Sequence, residues 1–261
     1  MASTSTSETE IRILDRVRAL LAKAESTTFA EEAAALTAKA HELMATHAID
    51  VAMIQQQEGR GEVIAIQMFI PGPYVKEKFL LLAGVARGNR CRSILGLDRE
   101  TLDSMVREQR LDELMDDGEH ATVVGYRSDL DVVELLFTSL LLQAVNVMLA
   151  HGVVVSPHGQ NRTKSFRRSF LIAFAYTIGD RLRDTESRVT AEADRAAGGN
   201  VLPVLASRLD HVDKQVDAMF PNTTSLRTSI SNGDGVTAGR AAGLTADVGS
   251  SRIGKKQSAL R

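Results

Sequence analysis

The chain has 261 residues, 31 Lys+Arg against 33 Asp+Glu, a single cysteine and no tryptophan. Hydrophobic residues at 44% and charged residues at 25% are those of an ordinary globular protein. One cysteine excludes an internal disulfide and a Cys-rich zinc module, and 4% aromatics argue against stacking platforms for bases.

The first residues, Met1 to Glu8, lack the basic and apolar blocks of a secretory signal. A cytoplasmic protein is therefore expected. Ser7 with Glu10 forms a capping box, and Ile13, Leu14, Val17, Leu20 and Leu21 follow at helical spacing. Thr28 with Glu31 repeats the signal. Leu36, Ala40, Leu43 and Met44 carry an Ala-rich apolar face to about His47. Residues 8–50 are read as a helical hairpin.

A polar loop is expected over residues 52–61. Alternating Ile64, Ile66, Met68 and Ile70 predict a strand from Glu62, stopped by Pro71-Gly72-Pro73. Lys76 to Ala86 reads as a helix and Arg90 to Leu97 as a strand carrying Cys91. Asp98 to Asp117 reads as an acidic surface helix, and His120 to Gly125 as a third strand. Ser128 with Asp131 is expected to cap a helix to about His151. That helix is apolar almost all round, so it is expected to be the central buried one. Its Glu134, Thr138, Ser139, Gln143 and Asn146 argue against a membrane span.

A second long helix is predicted from Thr163 to near Ala197, ended by Gly198-Gly199-Asn200. Pro203 is expected to open the next. Residues 221–235 read as a turn-rich loop, Val236 to Val248 as a short helix, and the remainder as a basic tail. The expected class is α+β, predominantly helical. It has a helical hairpin (8–50), a small three-strand α/β centre with long helices (62–220), and a loop, short helix and tail (221–261).

Few residues announce chemistry. His41 and His47 are six apart, so their rings point about 120° from each other and do not make a zinc pair. Gly233-Asp234-Gly235 fits a loose dinucleotide fingerprint, but no strand precedes it. Gly239 and Gly243 are better read as packing glycines. Cys91 reads as a buried structural thiol. No metal or cofactor is expected. A catalytic carboxylate, if present, would belong at the strand-to-helix junction Gly125 to Asp131.

One basic cluster stands out: Arg162, Lys164, Arg167 and Arg168, with no acid among them. It lies at a predicted helix start, where cations oppose the helix dipole. The placement makes sense if an anion or acidic surface sits there. The acidic run Asp112 to Glu119 is the intramolecular partner; phosphate or nucleic acid is the external one. Charge is divided accordingly. Residues 1–150 hold 15 basic and 23 acidic residues, a net of -8; residues 151–261 hold 16 and 10, a net of +6.

The run Leu20-Leu21-Ala22-Lys23-Ala24-Glu25-Ser26-Thr27-Thr28, then Glu31-Glu32-Ala33, Lys39-Ala40 and Leu43-Met44, resembles a bacterial and phage family. That family is catalogued as domain of unknown function 2786. Gly125 to Leu130, Leu140 to Gln143 and Phe166 to Phe170 resemble the region that often follows it. The resemblance implies a lineage and no activity, so no catalytic residue carries over.

The residues favour a cytoplasmic binding module that contacts nucleic acid or an acidic partner through the basic helix start. Two alternatives stand beside it. One is a hydrolase-like enzyme with a site near residues 120–131, drawing on Ser128, Asp129, His120, His151 and His158. The other is an assembly protein whose Ala-rich hairpin is a homo-oligomer contact.

Overall fold

The computed structural model describes residue 20 and residues 30–57, 61–97 and 117–246. In chain order these form α1 (Ala30–Gln57), β1 (Val63–Pro71), α2 (Val75–Gly88), β2 (Arg92–Leu95), β3 (Gly118–Tyr126), α3 (Arg127–Ala150), α4 (Thr163–Ala196), α5 (Val201–Met219) and α6 (Gly233–Thr245). The fold is predominantly helical α+β. The predicted first helix of the hairpin, the acidic stretch 98–116 and the basic tail lie outside the described residues.

The sheet has the order β1-β3-β2 and both pairings are antiparallel. Period-two alternation sends Ile64, Ile66, Met68 and Ile70 of β1 to one face. There Met68 and Ile70 join Ala121 and Val123 of β3 in the main core. On the other face, Val124 and Tyr126 pack against Val212 of α5.

Helix α4 is the organising element. Its residues Ser169 to Ala175 are all buried, and α1, α2, α3, α5 and α6 pack against it. Gly235, Gly239 and Gly243 recur every four residues along α6 and face Phe166, Phe170 and the Phe174–Thr177 turn of α4. A Cβ at Gly239 would fall on the Phe170 carbonyl. These glycines therefore serve close helix packing, and Gly233 to Gly235 is the first turn of a helix. The Asn232 side chain caps that turn, accepting from the Gly235 amide at 2.9 Å. The expected turn at Asn232-Gly233 is thus a helix start, and α6 begins three residues earlier than its apolar pattern implies.

Other expectations need correction. The helix ending near His47 continues to Gln57, because Ala48, Ile49, Val51 and Ala52 are buried and extend its inner face. Pro203 lies in the first turn of α5 rather than opening it. Ser128 does not cap α3: the N-cap is Tyr126, and the Ser128 hydroxyl has no hydrogen-bond partner. Helix α3 is not the central buried helix. Leu130, Val133, Leu136, Phe137 and Leu140 line the core, but Leu135, Leu142 and Leu149 are 46%, 52% and 49% exposed. Among the described residues it is the one helix long and apolar enough to cross a membrane, with a third of its apolar window buried inside this fold.

Candidate functional site

Two groups of arginines dominate the polar structure. The first is buried. Arg90 follows α2 with φ of 57°, a left-handed conformation unusual for a residue with a side chain. Its guanidinium reaches inward. Nη2 donates to Asp129 Oδ1 at 3.0 Å and Nη1 to Glu186 Oε1 at 3.2 Å. Glu186 also accepts from the Thr190 hydroxyl at 3.0 Å. Asp129, in the first turn of α3, is 2% exposed. Its second oxygen accepts from Arg208 Nη2 of α5 at 3.5 Å.

Arg208 connects further. Its Nη1 donates to Gln55 of α1 at 2.7 Å, and its guanidinium lies 3.5 Å over the Tyr126 ring. The Tyr126 hydroxyl meets His211 Nδ1 at 3.1 Å. Beside this group Arg92 grips Asp213 with two bonds, at 2.7 and 3.1 Å, and so ties β2 to α5. Two buried cations face two carboxylates, so the formal charges of Arg90, Arg208, Asp129 and Glu186 cancel.

The electrostatics follow from burial. Desolvation disfavours the Arg90 charge, yet Asp129 and Glu186 outweigh it and hold its pKa above the ordinary arginine value. For Arg208 desolvation wins over attraction to Asp129, and its pKa falls below the ordinary value. Burial likewise pushes the Cys91 thiol upward, with Asp129 adding to the effect. Cys91 precedes β2 rather than lying within it, is fully buried, and its thiol donates to the Asn89 carbonyl at 3.3 Å. It is an unreactive environment for a thiol.

The second group is the predicted basic cluster, and the structure divides it. Arg168 Nε donates to Glu77 of α2 at 2.7 Å, and the Glu77 side chain is 5% exposed. Among the described residues the partner of Arg168 is therefore Glu77 on α2. Of the acidic run, residues 112–116 lie outside the described residues, while the Asp117 carbonyl accepts from the Gly72 amide. Arg167 is half-buried, and its Nε is buried with no hydrogen-bond partner. Arg162 and Lys164 are exposed. Arg162 is the N-cap of α4 and offers no side-chain cap, and the first turn holds no acid.

The loop before α4 is fastened to this start. Arg162 N donates to Val154 O at 2.8 Å and Val154 N to the Thr163 hydroxyl at 3.0 Å. The neighbouring Val153 and Val155 are 73% and 58% exposed. The exposed cations thus share their surroundings with exposed apolar side chains.

The histidines of the hydrolase alternative keep separate company. His120 stands against Phe69, His151 against Phe166 and Phe170, and His158 is exposed in the loop. Among the described residues no three His, Cys, Asp or Glu side chains cluster to hold a metal. Both oxygens of Asp129 face guanidinium groups. The junction singled out in the sequence is thus occupied by an ionic anchor.

The anchor itself was only half legible. Asp129 falls at the expected junction, but Arg90 and Arg208 are 39 and 79 residues from it. One signal did exist. Val201, Leu205, Arg208 and Val212 form the buried stripe of α5, so an arginine stands where helical spacing calls for an apolar residue.

No curated protein and no solved structure matches the chain. A family model described as "Protein of unknown function (DUF2786)" matches residues 12–51, a segment that ends within α1. The N-terminal part of the chain is similar to the domain of that family.

Proposed function

We propose that the protein is a binding module whose exposed cations at the start of α4 engage an acidic protein surface. The observation that carries this reading is the exposure of Arg162 and Lys164 beside exposed Val153 and Val155. A nucleic-acid interface is more uniformly cationic and polar. A mixed cationic and apolar patch suits a protein partner with acidic and apolar groups. Arg168, tied to Glu77, positions the helix start, and Arg167 is half-buried.

Nucleic acid is the second reading, favoured by one feature. The first turn of α4 holds no acid and no side-chain cap from Arg162. The Thr163 amide is taken by Asn161 Oδ1 at 2.9 Å, and the dipole with the amides that follow suits a phosphate as well as a carboxylate. The hydrolase alternative draws no support from the dispersed histidines.

The test uses fluorescence anisotropy with a labelled polyglutamate peptide and a labelled DNA duplex. Binding of polyglutamate that is lost on Arg162→Glu/Lys164→Glu supports the first reading. Preferential, steeply salt-dependent binding of DNA lost in the same variant favours the second. Unchanged binding of both probes by the variant would remove the cluster from the site.

A further inference from the structure

Among the described residues nothing covers the outer face of α3, where leucines alternate with exposed Thr138 and Asn146. Residues seven apart on a helix drift only about 20° around it, so Leu135, Leu142 and Leu149 form one ridge. They rise about 10.5 Å from one to the next. All three are close to half exposed. Isolated exposed leucines are common, but three on one ridge mark a contact surface.

The charges at the two ends of this ridge are opposite. At the N-terminal end stand exposed Asp131 and Glu134, with Asp131 bound to Arg127 at 2.9 Å. At the C-terminal end lie Arg162 and Lys164. Val154, four residues beyond α3, is bonded to the Arg162 amide, and His151 stacks on Phe166 of α4. With Arg127 counted the first end is left with one unmatched acid, Glu134, so the ridge runs from a weakly acidic end through three leucines to a basic end.

Such a surface is complementary to itself when turned end for end. We infer that the partner of this face is a second copy of the chain, packed antiparallel along α3 about a two-fold axis at Leu142. The inference rests on the proposed reading of the α4 start as a site for an acidic surface, and names that surface. Leu142 meets its own counterpart, Leu135 meets Leu149 of the other copy, and each acidic end faces a basic end. An isologous contact of this kind closes on itself and stops at two copies. It also gives a role to leucines that the other described elements leave exposed.

Sedimentation velocity over a concentration series tests it. The wild-type protein should form a dimer that weakens in high salt. Leu142→Glu should weaken dimerisation roughly tenfold or more, since it removes apolar burial at the axis, while its circular dichroism matches wild type. Should that variant fail to fold, a charge pair decides. Glu134→Lys should weaken the dimer, and adding Lys164→Glu should restore it.

A wild-type protein that stays monomeric throughout, or a dimer indifferent to these changes, overturns the inference. So does a monomer that co-sediments with phosphatidylcholine vesicles and loses them on Leu142→Glu, an outcome that assigns the ridge to lipid. The polyglutamate titration with Arg162→Glu/Lys164→Glu distinguishes this failure from failure of the proposed function. A monomer that still binds the peptide through those two residues loses only the second copy.

Discussion

Arg90 and Arg208 carry the same group as Arg162, yet the two regions put it to opposite uses. Around Asp129 every charge has an opposite charge, and Arg90, Arg208 and Asp129 are buried. At the start of α4 the exposed charges lie at a helix end that disfavours them. A buried arginine must be matched within the fold, because an unpaired buried charge is too costly to keep. An exposed cation pair set against a helix dipole is not required by the fold. It is the region where binding is the better explanation.

The predictions that break or sharpen this contrast run from large to small. Asp129→Ala removes the carboxylate between two buried guanidinium groups. It should cost about 3–5 kcal/mol of stability, the range for breaking a buried pair, read by chemical denaturation. Arg208→Met keeps the volume and leaves Arg90 with both its carboxylates. The loss should be smaller, about 1–2 kcal/mol, from the Tyr126 stack and the Gln55 bond. An equal loss from both variants would mean that Asp129 is not the centre of the cluster.

The buried side also has a pH signature. The folded Cys91 thiol keeps its proton above the ordinary value of 9.0, at which the unfolded chain releases it. Above that pH the folded state binds more protons than the unfolded state, so this contribution to stability falls as pH rises. Denaturation midpoints at about pH 8 and pH 10 should show the fall, and Cys91→Ala should lose that component. The thiol should also resist alkylation until the chain unfolds; rapid alkylation of the native protein would contradict its burial.

The smallest effect on stability is expected on the exposed side. Arg162→Glu/Lys164→Glu should change stability by no more than about 0.5 kcal/mol, as surface substitutions do. The new acids even suit the helix dipole. Binding should nonetheless be lost.

Much of this architecture was legible from apolar spacing. The strands β1 and β3, the helices α3 and α4, and the packing role of Gly239 and Gly243 all follow from local pattern. What escaped depends on distance along the chain. Glu77 lies 91 residues from Arg168, and nothing local marks it as the partner. Arg90 turns inward where the chain takes a left-handed step after α2. The misjudged centre has a different cause. Helices α3 and α4 are both rich in apolar residues, and spacing alone does not tell a face covered by the other described elements from one left exposed. Ser128 and Asn232 show the same limit for caps. Both have the right chemistry, but only Asn232 sits one residue before a helix whose first amides are open to it.

The contrast between matched and exposed arginines is tested most directly by titrating labelled polyglutamate against wild type and Arg162→Glu/Lys164→Glu, with thermal unfolding recorded on the same samples. The expected result is loss of binding in the variant with its unfolding transition unchanged. Binding that persists, or that disappears only together with the fold, would contradict the assignment of the α4 start as the functional face.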